Sequence, residues 1–350
     1  MVLGERTPRL LSVNWLKNTS ITQYFLIGFF LLIFFAGTGL IIFFQQSYKS
    51  LTGDQQEHTI VIPKGASLDK ISVMLGKHKI IDHPFLFVWN ARLRKLHARL
   101  KAGEYIFPKN RTLESVLMLL VSGKIVVRKF TAVEGRTVRE IITALNQTEG
   151  LEGEIDFVPK EGELYPETYY FSYGDQRQEL VMRMVKAQQK HLKKLWKERD
   201  SNVPLSSAQD ALILAAIIEK ETRIPEERAR IAGLFYNRLR LGMRLQSDPT
   251  VLYGLYRAYG LPLNRPLSRA ELDISTPFNT YLHSGLPPEP ICSPGFSSLH
   301  AALHPEKTEM LYFVIDGTGG HIFSSTYEEH KRHHQALRAR RQKEAQKISK

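Results

Sequence analysis

Residues 206–225 read SSAQDALILAAIIEKETRIP, and the rest of the chain is organised around them. The middle of this stretch, Ala211-Leu212-Ile213-Leu214-Ala215-Ala216-Ile217-Ile218, is apolar on every face. That is too continuous for a surface helix and predicts one buried at the centre of a domain. Ser206 with Gln209 supplies a capping box at its start. Pro225 ends it, because a proline ring clashes with the preceding turn. Two carboxylates therefore sit at the end of an apolar helix. Glu219 lies four residues before Arg223, the orientation that favours an ion pair, which predicts an ionised, structural group. Glu221 has Pro225 at the same offset and Leu214, Ile217 and Ile218 on its N-terminal side. Without a helical partner and beside apolar groups, it is the better candidate for a raised pKa and proton donation. The competing reading is a solvated helix end held by a salt bridge.

Downstream, residues 226–241 (EERARIAGLFYNRLRL) predict a second helix, with acids in the first turn and Gly242 as its stop. Ala232, Phe235, Tyr236 and Leu239 share one face, and Asn237 and Arg238 sit beside it. Gln246-Ser247-Asp248-Pro249-Thr250 gathers four polar side chains around a proline, as a binding loop does. Pro277-Phe278-Asn279-Thr280-Tyr281 and Gly285-Leu286-Pro287-Pro288-Glu289-Pro290 add a stiff polar and aromatic wall. Amides, hydroxyls, carboxylates and aromatic faces are the mixture that binds sugars. Upstream, residues 178–199 carry Leu180, Val181, Met184, Val185, Leu192, Leu195 and Trp196 at helical spacing, a scaffold helix. Residues 162–171 are aromatic and proline-containing, suited to a loop against a cleft.

At 350 residues the chain has room for two or three domains, and 43% hydrophobic with 24% charged residues is a globular composition. One cysteine, Cys292, excludes an intrachain disulfide. The net charge of +13 invites a nucleic-acid reading, but residues 331–350 hold eight basic residues against one acid. The remaining 330 residues are only mildly basic, and no stacking-and-basic motif accompanies the charge. The surplus belongs to a terminal tail, and no nucleic-acid partner is expected.

Residues 24–44, YFLIGFFLLIFFAGTGLIIFF, contain no charge and would extend roughly 30 Å as a helix. The run is longer than the apolar part of a signal peptide, and Phe43-Phe44-Gln45-Gln46 offers no small-residue cleavage site, so an uncleaved anchor is expected. Arg6, Arg9 and Lys17 before it against Lys49 and Lys64 after it favour a cytoplasmic N-terminus and an extracytoplasmic body. A polar linker, residues 45–57, comes after the run. Three strand–turn–helix units come next: residues 59–63 with Ser67 as helix cap, residues 104–108 with Thr112, and residues 126–130 with Thr137. They look like a LysM-type module that recognises N-acetylated glycans; a linker domain that only positions the downstream domain is the alternative.

Other chemistries are less well supported. His300 and His304 are four apart and His330, His333 and His334 cluster, but no HExxH pattern is present, so these histidines read as surface residues. Asp316-Gly317-Thr318-Gly319-Gly320 lacks the Gly-Lys-Ser/Thr of a phosphate cradle and lies between two strand-like runs, which predicts a hairpin turn. Cys292 has no activating neighbour and reads as inert. Neither a metal nor a cofactor is expected.

Glu219-Lys220-Glu221-Thr222, Asn237-Arg238-Leu239, residues 242–251 (GMRLQSDPTV), Asn279-Thr280-Tyr281 and Gly285-Leu286-Pro287-Pro288, in this order, resemble the YceG-type endolytic murein transglycosylases. The resemblance covers the anchor, the LysM-like segment and nearly all of residues 160–335. Glu163 departs from it, standing where the family pattern has a bulky apolar side chain. The family's catalytic glutamate matches Glu221, and Glu221-Thr222 is similar to the Glu-Ser pair of lysozyme-like transglycosylases. The substrate-binding candidates are Asn237, Arg238, Gln246, Asp248, Thr250, Asn279 and Tyr281. The resemblance implies non-hydrolytic cleavage of the β-1,4 bond between N-acetylmuramic acid and N-acetylglucosamine, leaving 1,6-anhydro ends. It also implies nascent glycan strands as substrate and peptidoglycan synthases as neighbours in the inner membrane. A hydrolytic muramidase and a non-catalytic glycan-binding scaffold remain the alternatives. The expected architecture is α+β: cytoplasmic N-terminus (1–23), transmembrane helix (24–44), linker (45–57), LysM-like α/β module (58–150), lysozyme/transglycosylase-like catalytic domain (151–335) and basic tail (336–350).

Overall fold

The structure is a computed structural model that describes residues 21–348, with side chains for residues 23–340. Arg6, Arg9 and Lys17, on which the expected orientation rests, lie outside the described residues, as do the side chains of the last ten residues of the basic tail. Helices and strands mix throughout, and the chain forms two compact units that divide between Val126 and Val127.

The first unit begins with α1 (Ile21–Lys49), whose apolar side chains stand exposed. Among the described residues α1 is the one helix long and apolar enough to cross a membrane. It overruns the expected linker: residues 45–49 are helical, because Tyr48 is buried against the unit and the Arg94 guanidinium lies 4.1 Å from its ring centroid. Then come β1 (His58–Ile62), α2 (Leu68–Lys77), α3 (Pro84–Leu93), β2 (Gly103–Phe107) and α4 (Leu113–Ser122). The predicted caps form. Ser67 Oγ accepts the Lys70 N–H, and Thr112 exchanges hydrogen bonds with Ser115. β1 and β2 pair antiparallel, Ile60 opposite Tyr105. Leu75, Phe87, Phe107, Leu117 and Leu120 fill the core. Buried Arg111 donates to the carbonyls of Lys79 and Ile80 and to Asp54, tying the chain after α1 to the module.

The third strand–helix unit does not join the first two. Its strand, β3 (Val127–Thr131), pairs antiparallel with β5 (Thr168–Ser172), which places it and α5 (Val138–Asn146) in the second unit. The short strands β4 (Leu151–Glu152) and β6 (Asp175–Gln176) pair in parallel, and β6 leads into α6 (Arg177–Glu198). α7 (Ala208–Glu221) is next, and all eight residues from Ala211 to Ile218 are buried, as their continuous apolarity requires. Its capping box is Ser207 with Asp210, one residue later than the expected Ser206 with Gln209. α7 is enclosed by α6, α8 (Pro225–Arg240), α9 (Asp248–Tyr259) and α10 (Phe296–Leu303). β7 (Tyr312–Ile315) and β8 (His321–Ser324) make the predicted hairpin. In its turn, Asp316 accepts the N–H groups of Thr318 and Gly320. α11 (Tyr327–Ile348) ends the described chain.

Candidate active site

The C-terminal end of α7 is where the buried helix surfaces. Thr222 leaves helical geometry, so Arg223 falls off the helix and the expected i,i+4 pair with Glu219 does not form. Glu219 instead meets Arg228 of α8 at 3.4 Å and accepts the Gly295 N–H at 3.0 Å. It remains structural, with a different partner from the one its spacing suggests. Thr222 Oγ1 accepts the Ile224 N–H and donates to Glu227 Oε2, which fixes the turn into α8.

Glu221, one turn-edge away, opens on a cavity of about 540 Å³ in the second unit. Ser247 Oγ donates to its Oε1 at 2.5 Å. No protein hydrogen bond among the described residues reaches its Oε2. Burial pushes the Glu221 carboxyl up to about 7, and the nearby Asp248 charge adds to the rise. The Ser247 hydroxyl, with His321 and the Arg238 guanidinium nearby, holds it from going higher. A carboxyl balanced near neutrality can both give and take a proton.

The cavity collects Arg238, Gln246, Asp248 and Tyr281 with Glu221, five of the eight residues singled out from the sequence. Asp248 lies at the first turn of α9 and accepts from the Tyr281 hydroxyl at 2.6 Å. Arg238 is buried along its stem, donating to the carbonyls of Leu245 and Leu311, both at 2.7 Å. The structure places the other three elsewhere. Asn237 donates to the carbonyls of Thr308 and Met310, holding the segment that leads into β7. Thr250 is fully buried, bonded to Ser247 O and Thr280 Oγ1. Asn279 is fully buried too; its amide grips the carbonyls of Leu272 and Ile274 and accepts the Tyr281 N–H. These three shape the wall and do not line it. Glu163, which departs from the family pattern, accepts the Lys160 N–H and stays in its own turn.

Three contributors are not evident from sequence, His321, Tyr312 and Tyr327, and a fourth, Ser247 of the binding loop, has a role its spacing does not show. Ser247 is buried, its N–H donating to Thr280 Oγ1, so its hydroxyl is aimed at Glu221 by the 277–281 wall. His321, Tyr312 and Tyr327 come from the hairpin and α11, with His330 and His334 beside them. The His321 Nδ1–H donates to Glu227 Oε2 at 2.7 Å while its backbone N–H donates to Oε1 at 2.8 Å. Burial alone would raise Glu227, but these bonds and that of Thr222 hold it below its ordinary value. Against the expectation that they are plain surface residues, His330 and His334 reach the cavity edge. Among the described residues, no cluster of three or more His, Cys, Asp or Glu could hold a metal ion. Cys292 is fully buried, and burial pushes its thiol well above the ordinary range, so it carries no thiolate chemistry.

A second carboxyl invites comparison. Burial also pushes Glu161 up to about 7, but its two oxygens accept from the Val138 N–H and the Tyr253 hydroxyl. It joins α5 to α9 and has no oxygen to spare, whereas Glu221 does.

The YceG-like family profile matches residues 60–336. An endolytic murein transglycosylase of Bacillus subtilis is 31% identical over 305 residues, covering 78% of this chain and 82% of that protein. One from Streptococcus pneumoniae is 28% identical over 323 residues, and the chain spans only 57% of that longer protein. The crystal structure of a yceG-like protein from Listeria monocytogenes superposes with a TM-score of 0.52 at 30% identity, covering 80% of this chain and 99% of that one.

Proposed function

The chain belongs to the YceG-like family, and from that premise we propose that it is a membrane-anchored endolytic murein transglycosylase with Glu221 as its catalytic acid and base. The observation that carries this reading is a carboxyl near pKa 7 at the floor of a polar and aromatic cavity, with one oxygen held by Ser247 and the other open to the cavity. Protonated Glu221 donates to the glycosidic oxygen as the β-1,4 bond between N-acetylmuramic acid and N-acetylglucosamine breaks. The substrate's own acetamido group stabilises the cationic carbon, a substrate-assisted exception to the two-carboxylate scheme. Glu221, now a carboxylate, takes the C6 hydroxyl proton, and that oxygen closes the 1,6-anhydro ring. The tyrosines offer faces to the sugars, and Arg238, Gln246 and Asp248 offer hydrogen bonds.

Asp248 in the same cavity favours one other reading, hydrolysis with Asp248 activating water. Incubating the purified chain with purified glycan strands and weighing the products separates the two. Anhydro ends support the transglycosylase; reducing ends, heavier by one water, support the hydrolase; binding without turnover leaves only a glycan-binding scaffold.

The exposed apolar length of α1 supports a single-pass anchor, and the excess of basic residues before the apolar run favours a cytoplasmic N-terminus with the catalytic unit outside the inner membrane. So tethered, the enzyme reaches nascent strands next to their synthases and limits their length. The β1–α2–α3–β2 order of the first unit, a strand pair with helices between, supports a LysM-like carrier for the same glycan. The basic tail then lies near anionic envelope surfaces, which deletion of residues 336–350 tests.

A further inference from the structure

In the first unit α3 divides sharply into two faces. Leu86, Phe87, Asn90 and Ala91 are buried. Phe85, Trp89 and Leu93, spaced four apart, form a stripe that is 69%, 36% and 64% exposed. A stripe of large apolar side chains on the outside of a small unit marks a surface that meets something apolar. α1 identifies it.

The Trp89 ring stacks on Phe44 with centroids 4.2 Å apart and planes at 21°. Phe44 is the last residue of the apolar run that begins at Tyr24. One helical turn further out, Tyr48 lies beneath Arg94, with Lys49 beside it. Along α1 the order is therefore apolar run, then paired aromatics, then cations. A bilayer presents the matching order of hydrocarbon, interfacial belt and phosphate. Between α1 and α3 is a cavity of about 350 Å³ whose lining keeps that order, from Ile41 and Phe44 through Trp89 and Leu93 to Lys49 and Arg94. Arg94 also meets Glu114 at 3.3 Å, an exposed pair that leaves the guanidinium only partly neutralised.

We propose that α3 and the outer end of α1 form a seat for anionic phospholipid. Phe85, Trp89 and Leu93 enter the interfacial layer, while Lys49 and Arg94 face the lipid phosphate. The first unit is then held on the membrane surface and does not swing from its tether. Aromatic and aliphatic residues on one face with cations at its edge are what an interfacial helix requires. The proposal rests on the reading of α1 as a membrane anchor.

The test uses the full chain with Trp15→Phe and Trp196→Phe, so that Trp89 is the one emitter, in phosphatidylcholine vesicles with or without phosphatidylglycerol. Lipid brominated high on its acyl chains should quench Trp89 roughly twofold or more, and aqueous acrylamide should quench it little. Replacing Phe85 and Leu93 by Ser should reverse that pattern. Lys49→Gln should weaken docking about fivefold with phosphatidylglycerol present and leave it unchanged without, as expected for one cation at an anionic surface. A chain that floats with the vesicles but whose Trp89 remains open to acrylamide and unquenched by brominated lipid overturns the seat alone. A chain that does not float overturns the anchor and the seat together.

Discussion

Ser247 Oγ donates to Glu221 Oε1 at 2.5 Å, and this bond joins the end of α7 to the residue just before α9. It places the carboxyl and moderates the proton affinity that burial raises. The bond favours the ionised form, opposing the burial that raises the pKa.

Ser247→Ala should therefore push the Glu221 pKa above about 7. Bond cleavage, which needs the acid, should persist to higher pH, while ring closure, which needs the carboxylate, suffers at neutrality. The pH optimum should move up by roughly a unit and turnover at pH 7 fall roughly tenfold, the worth of one hydrogen bond to a charged group. A pH–rate profile on glycan strands measures both; an unmoved optimum rules out this role for Ser247.

His321 is held through Nδ1 by Glu227, which leaves the other edge of the ring for the cavity. His321→Asn, whose amide can still donate to Glu227, should lower kcat about tenfold to a hundredfold, the worth of one hydrogen bond to a charged group, with the melting temperature nearly unchanged. Steady-state kinetics beside thermal melting check it. Equal losses in stability and activity would assign His321 to packing alone.

Glu161 and Glu221 make stability depend on pH. Each has a folded pKa of about 7 against an ordinary 4.5. The folded state holds the proton more tightly, so the contribution is complete below about 4.5 and is lost as pH rises toward 7. Each such group forfeits about 3 kcal/mol above pH 7, at about 1.36 kcal/mol per unit. Melting temperature should fall from pH 5 to pH 8, and Glu161→Gln should flatten about half of that slope. Gln keeps an acceptor for the Val138 N–H, so the contact with α5 survives.

Arg228 and Glu219 are 10% and 7% exposed in their side chains, an ion pair inside the second unit. Arg228→Met leaves the Glu219 carboxylate without its cation and should cost about 3 kcal/mol. Chemical denaturation measures the loss, and the Arg228→Met/Glu219→Gln double variant should recover part of it. Additive losses would show that the two do not interact.

How much is legible in the sequence differs from element to element. The buried helix is a local matter of periodicity and can be read directly, whereas Pro225 does not stop it: α7 ends at Glu221, and Pro225 opens α8. The caps at Ser67, Thr112 and Thr137 are equally local, while Ser206 misses the true cap by one residue because both serines satisfy the pattern. Partners distant in sequence are hidden. Glu219 takes Arg228 because the helix ends too soon for Arg223, and β3 leaves the first two units for β5, 37 residues downstream of its Thr131. Asn237, Thr250 and Asn279 carry polar groups in a loop-rich region, and nothing local separates a side chain that lines a cavity from one that ties its wall. Ser247 stands in the stretch read as a binding loop, but nothing local aims its hydroxyl at Glu221, and His321, just after Gly319-Gly320, carries a signal only in hindsight.

The central claim is that one carboxyl performs both proton transfers, and Glu221→Gln tests it most directly. Glutamine keeps the shape and can still accept from Ser247, so the fold should hold, and with no carboxyl to ionise the melting temperature should not fall. On purified glycan strands, mass spectrometry should find 1,6-anhydro ends with the wild-type chain and none with Glu221→Gln. Anhydro ends released at an undiminished rate by the correctly folded variant would contradict the account.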